Sequence, residues 1–384
     1  MKKRKFLILF LNTGGGHKAA ANVLKTMIEE RYPGSEAKIV NGFSKKSRLP
    51  KLFFVDFYHI SMNFFSSLYS FVYRFGNNSL FVRVAHLLLQ TYTIPYIRKI
   101  FAKEQPTDII NLHFALESPL HYMQREHPEI NTVTIVLDPF TVHSSWFYDK
   151  KGSYFVFSER VRKYAVEKCR IPQENIKVVP FILNQKFLSA PKNDELVTLR
   201  QKYGIAPDKK IVLLAGGGEG LPIVIKIVNE FIARKSDYTV IAVCGRNVAA
   251  MTYLNVLAKS NKTVGSIDLK VFGFVDFMDE LVKICDCAVI KAGPASLMEC
   301  LAARKPVVIC DFIYGQELGN VQFAVDNGFG KFYRKPSRIC DAVDYLISDE
   351  KRHKEIENRL SNMPISFDTG KVVDTLFDLE KEEK

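Results

Sequence analysis

At 384 residues, 47% hydrophobic and 25% charged, with a formal net charge of +13, the chain reads as a soluble protein of two domains, and disorder is excluded outside a Lys/Glu-rich C-terminal tail. Its seven cysteines, odd in number and set among apolar positions, exclude a disulfide framework and fit a reducing cytosol; Cys285 and Cys287 lack the second ligand pair that zinc needs, so no metal is expected. The positive balance predicts attraction to an anionic surface, either nucleic acid or acidic phospholipid.

Met1 to Arg4 is basic and Phe6 to Leu11 apolar, but the run is too short for a signal peptide and gives way to Gly14-Gly15-Gly16, so it predicts a first buried strand. A helix over Ala19 to Glu30 and a strand over Ala37 to Val40 complete a βαβ unit. The glycine loop is not an NTPase loop, because Ala19 rather than Ser or Thr follows Lys18. It is not a dinucleotide fingerprint either, because Val40-Asn41-Gly42 supplies no acid for a ribose. Gly15 and Gly16 permit close approach of an acceptor to the backbone. His17, at the head of the helix, is placed to take a proton from an attacking hydroxyl, or else simply caps the helix or faces solvent.

From Lys45 to Phe101 the pattern breaks. Lys45, Lys46, Arg48, Lys51, Arg74, Arg83, Arg98 and Lys99 stand against the single acid Asp56, among aromatics that begin with Phe53, Phe54 and Phe57. A span needs about 20 predominantly apolar residues, and Ser61, Asn63, Ser66, Ser67 and Ser70 interrupt this stretch. The expectation is a segment lying on an anionic membrane, which makes the protein peripheral at the cytoplasmic face. A helical core for the first domain is the alternative.

A strand follows at Asp108 to Leu112. Asp138, just past another apolar strand, is a second candidate base or a turn former before Pro139. His143 and Trp146 line an acceptor entrance or pack a loop. The domain boundary is expected around Asn184 to Asp208, giving domains 1–190 and 191–365 and a C-terminal helix, 366–384, that returns to the first domain. The grammar then repeats: strand Ile211 to Ala215, loop Gly216-Gly217-Gly218-Glu219-Gly220, helix, and strands at Thr239 to Cys244, Leu269 to Phe272, Cys287 to Ile290 and Pro306 to Cys310. Two Rossmann-like domains with parallel sheets, facing each other across a cleft, are expected, with ligands at the carboxyl ends of the strands.

The run Ala292-Gly293-Pro294-Ala295-Ser296-Leu297-Met298-Glu299, followed by Gly315-Gln316-Glu317 and Asn320, reads as a nucleotide-sugar pocket. A strand that ends in a Gly-Pro turn and opens a helix aims free N–H groups and the positive helix end at a diphosphate. Glu299, about one turn further on, can accept hydrogen bonds from two ribose hydroxyls, and Gln316 and Glu317 can do the same for a hexose.

Gly14 to Ala20, Leu137-Asp138-Pro139 with His143 and Trp146-Phe147, Gly216 to Gly220, Cys244-Gly245-Arg246-Asn247, Lys291 to Pro294 and Gly315 to Asn320 occur in the order seen in monogalactosyldiacylglycerol synthases. Over nearly its whole length the chain resembles that family, with the processive diacylglycerol glucosyltransferases and, more distantly, the lipid II-forming N-acetylglucosaminyltransferase. The resemblance implies a GT-B fold, a UDP-sugar donor and inverting transfer of a hexose to a membrane lipid, diacylglycerol first, without a metal or cofactor. It implies that Gly217, Gly218, Arg246, Asn247, Phe274 and the helix from Gly293 to Glu299 hold UDP, that Gln316 and Glu317 hold the sugar, and that His17 is the base or positions the acceptor. Lys18 stands where Arg is usual, and Ala295-Ser296 replaces a Gly-Thr pair. A UDP-sugar epimerase of the same fold, or transfer to a sterol or glycolipid, is the alternative. A nucleic-acid binder ranks last, because no recognition motif accompanies the charge.

Overall fold

The computed structural model describes residues 3–12, 15–44, 79–188, 193–264 and 267–382. The chain divides into two compact units: Met1–Leu183 with Ile313–Gln316 and Ile365–Lys384, and Asn184–Phe312 with Glu317–Pro364.

In the first unit the described strands β1 (Lys5–Phe10), β2 (Glu36–Asn41), β3 (Asp108–Asn111), β4 (Asn131–Ile135), β5 (Ser153–Val156) and β6 (Ile176–Val178) form one sheet in the order β2-β1-β3-β4-β5-β6. All pairs are parallel, with Ile8 opposite both Ile39 and Ile110. Helices α1 (Gly15–Arg31), α2 (Ser79–Glu104), α3 (Glu117–Glu126) and α4 (Glu159–Glu167) connect the strands. Phe6 to Phe10 are buried without alternation, as a strand covered on both faces requires. Helix α1 starts at Gly15, earlier than the sequence pattern predicts. The N–H groups of a first turn have no intrahelical partner in any case, so glycines are cheap there, and His17 is carried in that turn.

Helix α2 is the only described part of the aromatic and basic segment. Leu89, Ile94, Ile97, Ile100 and Phe101 pack against Leu7, Leu9, Ile109 and Met123 in the core, while Leu87 and Tyr92 are exposed. Arg98 pairs with Glu126. The portion that ends at Phe101 is therefore packed helix. Lys45, Lys46, Arg48, Lys51, Phe53 and Phe54 lie outside the described residues.

The second unit repeats the plan with β7 (Lys210–Ala215), β8 (Tyr238–Val243), β9 (Asp268–Phe272), β10 (Cys287–Lys291), β11 (Val307–Asp311) and β12 (Gly330–Phe332), in the order β12-β11-β10-β7-β8-β9 and parallel throughout. Its described helices are α5 (Asn193–Lys202), α6 (Val224–Ala233), α7 (Val248–Val264), α8 (Met278–Ile284), α9 (Pro294–Ala302), α10 (Leu318–Asp326), α11 (Pro336–Ile347) and α12 (Glu350–Ser361). Strands β5, β6 and β12 are absent from the sequence reading. They run for only three or four residues, too few to show a period, and β6 and β12 each carry a lysine.

In both sheets the strand order reverses beside the first strand, between β1 and β3 and between β7 and β10. Connections leave in opposite directions there, which opens a crevice at the carboxyl ends of the strands.

Helix α13 (Thr369–Glu382) belongs to the first unit. The buried Thr369 hydroxyl accepts the N–H of Leu183 (3.3 Å) and donates to its carbonyl (3.2 Å). Arg4, buried in an ion pair with Asp108, also donates to the Leu376 carbonyl (3.2 Å), and Tyr32 stacks on Phe377 at 3.6 Å. Thr369→Val keeps the shape but strands both backbone groups of Leu183, and is expected to cost about 2 kcal/mol. Urea unfolding of the two proteins measures the loss, and equal midpoints would remove the tie.

Candidate active site

At the crevice of the first sheet, the first turn of α1 carries His17 and the turn after β3 carries Leu112 and His113. The Nδ1–H of His17 donates to the Leu112 carbonyl at 2.7 Å. A carbonyl only accepts, so the proton sits on Nδ1 and a neutral ring keeps a lone pair on Nε2. Burial holds the His17 pKa below the usual 6.5, and the Leu112 contact opposes it more weakly. The ring is therefore neutral at pH 7, with its basic nitrogen available.

His113 packs against it, ring centres 4.9 Å apart. Its Nδ1 accepts the N–H of Ala115 (3.2 Å), so its proton is on Nε2, the opposite tautomer. Burial, with the neighbouring His17, pushes its pKa well below 6.5. The His113 ring stacks on Phe114 (4.6 Å) and lies 6.4 Å from that of Trp146. The Trp146 indole N–H in turn donates to Asp138 Oδ2 (2.9 Å). The amide of Gln316, from a segment that belongs to this unit, donates to Asp138 Oδ1 (3.2 Å). Burial raises the Asp138 pKa to about 6 against those two hydrogen bonds. Side-chain contacts thus join His17, His113, Trp146, Asp138 and Gln316 in one line. His143 accepts the Ser145 N–H (3.2 Å) at the start of a short 3-10 helix, Ser144–Phe147. Gly15 is exposed and Gly16 partly so, at the start of α1.

The second crevice is built from backbone. Gly217 and Gly220 both have φ +70°, and a Cβ on Gly220 would stand 2.4 Å from the Cys244 carbonyl oxygen. Only glycine allows the loops after β7 and β8 to touch, and the N–H of Arg246 donates to the Gly218 carbonyl (2.9 Å) across that contact. Asn247 opens α7 by accepting the Ala250 N–H (3.0 Å). The exposed Arg246 guanidinium pairs with Glu219 (2.9 Å) and lies 5.6 Å from the centre of the Phe274 ring, itself 65% exposed.

On the other side of β7, β10 ends at Lys291, Gly293 caps α9 and Pro294 begins it, with Ala295 and Ser296 in its first turn. Asn320 anchors the neighbouring loop by donating to the Ala292 carbonyl (2.8 Å), and its buried Oδ1 has no hydrogen-bond partner among the described residues. The Glu317 carboxyl lies 3.7 Å from where a Cβ on Gly293 would stand. Glu299 sits on α9 with no hydrogen bond or ion pair among the described residues, and burial raises its pKa to about 7, helped by Asp279. Gly293, Glu317 and Asn320 are thus brought together. The Glu299 carboxyl, partly buried and without a hydrogen-bond partner among the described residues, is suited to accept hydroxyl hydrogen bonds from a ligand.

His113 escaped the sequence reading. Its signal is a histidine directly after an apolar strand, whereas His17 was marked by its place behind a glycine loop at the head of a helix. Among the described residues no group of three or more His, Cys, Asp or Glu is placed to hold a metal.

Residues 17–180 match the family model for monogalactosyldiacylglycerol (MGDG) synthase, and residues 211–363 match the glycosyltransferase family 28 C-terminal domain. A processive diacylglycerol beta-glucosyltransferase of Bacillus licheniformis is 25% identical over 372 residues, 94% of this chain and 92% of that one. A probable chloroplastic monogalactosyldiacylglycerol synthase of Nicotiana tabacum is 28% identical over 361 residues, 88% of this chain but 64% of the longer tobacco protein. Among solved structures, Acinetobacter baumannii MurG superposes with a TM-score of 0.61 at 12% identity, over 97% of this chain and 99% of that one. The UDP-GlcNAc 2-epimerase of Neisseria meningitidis, bound to UDP-GlcNAc, gives 0.63 at 14% identity, over 98% and 100%. At such identities a shared fold is what these structures establish. The two parallel α/β sheets are those of the GT-B fold, and the chain belongs to the glycosyltransferase family of monogalactosyldiacylglycerol synthases and processive diacylglycerol glucosyltransferases.

Proposed function

We propose that the protein transfers a hexose from a UDP-sugar to diacylglycerol on an anionic membrane surface, with inversion at the anomeric carbon. The observation that carries the reading is the fixed tautomer of His17, which leaves Nε2 as a neutral base. An acceptor hydroxyl gives its proton to that nitrogen as its oxygen attacks the anomeric carbon, and UDP departs. Asp138 is the weaker candidate, because both of its oxygens already accept hydrogen bonds from Trp146 and Gln316.

In the second unit, the N–H groups of Gly217 and Gly218 and the start of α9 at Pro294 take up charge developing on the diphosphate. Glu299 holds the ribose. Arg246, Asn247 and Phe274 receive the uridine, while Gln316, Glu317 and Asn320 receive the hexose. Because backbone groups do the work of a cation here, activity is expected to survive EDTA; a loss that magnesium restores would refute this part. The test of the whole reading is chromatography of lipid products after incubation with labelled UDP-galactose, UDP-glucose or UDP-N-acetylglucosamine and vesicles holding diacylglycerol, a sterol or a glycolipid. Interconverted UDP-sugars without a lipid product would favour an epimerase.

Among the described residues no helix is long and apolar enough to cross a membrane. Membrane contact is assigned to Lys45, Lys46, Arg48 and Lys51 beside Phe53 and Phe54, at the cytoplasmic face. Each basic residue near an anionic surface is worth about 1 kcal/mol. Replacing the four with Gln is expected to release the protein from anionic vesicles at low salt and to spare activity on detergent-dispersed lipid. Co-sedimentation at low and high salt decides it, and equal binding by both proteins would end the assignment.

A further inference from the structure

Glu117, the first residue of α3, takes no part in the chemistry above, yet its side chain is buried next to the turn that holds His17. Asn111, the last residue of β3, donates through Nδ2 to Glu117 Oε1 (2.6 Å) and Thr134 Oγ1 (3.1 Å), and its Oδ1 accepts the N–H of His113 (3.0 Å). The Thr134 hydroxyl donates to the same Glu117 oxygen. The turn fixed in this way offers the Leu112 carbonyl to His17 Nδ1 and lays the His113 ring against that of His17.

A proton count applies at the other carboxyl oxygen. The Tyr154 hydroxyl lies 2.7 Å from the Asp149 carbonyl and 3.0 Å from Glu117 Oε2. The carbonyl has no proton to give and the phenol has one. When the phenol donates along the shorter contact, the longer one is a hydrogen bond only if Glu117 supplies a proton. Burial pushes the Glu117 pKa up to about 7, the nearby Asp149 acts in the same direction, and the three hydrogen bonds oppose them. The other groups around it are His121, paired with Asp149 (2.9 Å), Arg125 and Lys151, which line the cavity beside α3, and the neutral His17 and His113 beyond Asn111.

We propose that protonated Glu117 is a positioning residue for His17, locking Asn111 and so the Leu112–His113 turn that presents His17 Nε2. Its consequence for rate rests on His17 being the base. Ionisation leaves Tyr154 with two acceptors for one proton and puts a buried charge on a carboxyl whose donors are Asn111 and Thr134, at one oxygen, and the turn loosens. Glu117→Gln reproduces the protonated acid: its oxygen accepts from Asn111 and Thr134 and its amide donates to Tyr154.

The test follows the imidazole nitrogen resonances of His17, in protein labelled with nitrogen-15 histidine, from about pH 6.5 to 9, with kcat measured alongside. The wild type is expected to pass through a transition near neutrality in which Nδ1 loses its hydrogen-bonded signature, while kcat falls at least about threefold by pH 8.5. Glu117→Gln is expected to hold both level. The same transition in both proteins, or none in either, overturns the proposal. A transition confined to the wild type with kcat unmoved keeps the positioning role and removes His17 as the base. Should the Gln protein fail to fold, Glu117→Asp, which pulls the acid back from Asn111, is expected to lose the His17 signature at every pH, and unchanged resonances overturn the proposal equally.

Discussion

Replacing His17 with Ala is expected to lower turnover at least about 100-fold, the usual contribution of a positioned general base, while UDP affinity is unchanged. The two quantities separate because the residue touches only the acceptor hydroxyl in the proposed mechanism, and a loss confined to kcat marks an interaction made in the transition state. The acid side of the kcat profile adds a check. The His17 pKa is held below 6.5, so the base stays unprotonated as the pH falls through 6.5, and turnover declines only below it. Steady-state kinetics on vesicle-borne diacylglycerol supply both readouts. A rate near that of the wild type would move the role to Asp138, and a raised KM for the donor would place His17 with the sugar.

Glu299→Ala is expected to lower kcat/KM for the UDP-sugar about 100-fold. Two ribose hydroxyls hydrogen-bonded to a carboxylate contribute about 1.5 kcal/mol each, and the sum converts to that factor. The ligand-free side chain has no hydrogen bond to lose among the described residues, so folding is expected to be unaffected. A pH dependence follows with a definite sign. Burial raises the carboxyl to about 7 in the free protein, and ribose donors favour the ionised form. Donor binding therefore releases a proton, and affinity increases as the pH rises through 7. Calorimetric titration of UDP at pH 6 and pH 8 measures it. Affinity that is flat in the wild type, or that rises equally in Glu299→Ala, removes the carboxylate from the ribose.

Strands buried on both faces, such as Phe6 to Phe10 and Ile211 to Ala215, were legible because continuous apolar runs closed by glycine loops have few other readings. The second crevice was legible for a related reason: it is built from backbone, and backbone needs show as Gly and Pro. His113 and Glu117 were not legible. One looks like any other histidine, and the other like an ordinary acid at a helix start. They matter because β3 pairs with β1 across about a hundred residues of chain, placing Asp108 opposite Phe6 and the turn after β3 beside His17. That pairing is a long-range event, and no local window contains it. The tautomer of His17 was hidden for the same reason, since its partner Leu112 lies in the turn after β3, far along the chain.

The tie between Thr369 and Leu183, together with the Phe181 N–H bonded to the Ser366 carbonyl at 2.8 Å, bears on how the gene can be cut. The polypeptide leaves the first unit at residue 183, touches it again at Ile313–Gln316 and re-enters it near 365, and the crossings at 183 and 365 are stitched to each other. The second unit is in effect a cassette inserted into the first. Truncation at the C-terminus therefore injures the half that begins at the N-terminus. Neither half can be freed by a single break: a short linker from 183 to 366 would close the ends of the first unit, but the excised stretch 184–364 would carry away Ile313–Gln316, which belongs to that unit, and with it the Gln316 hydrogen bond to Asp138.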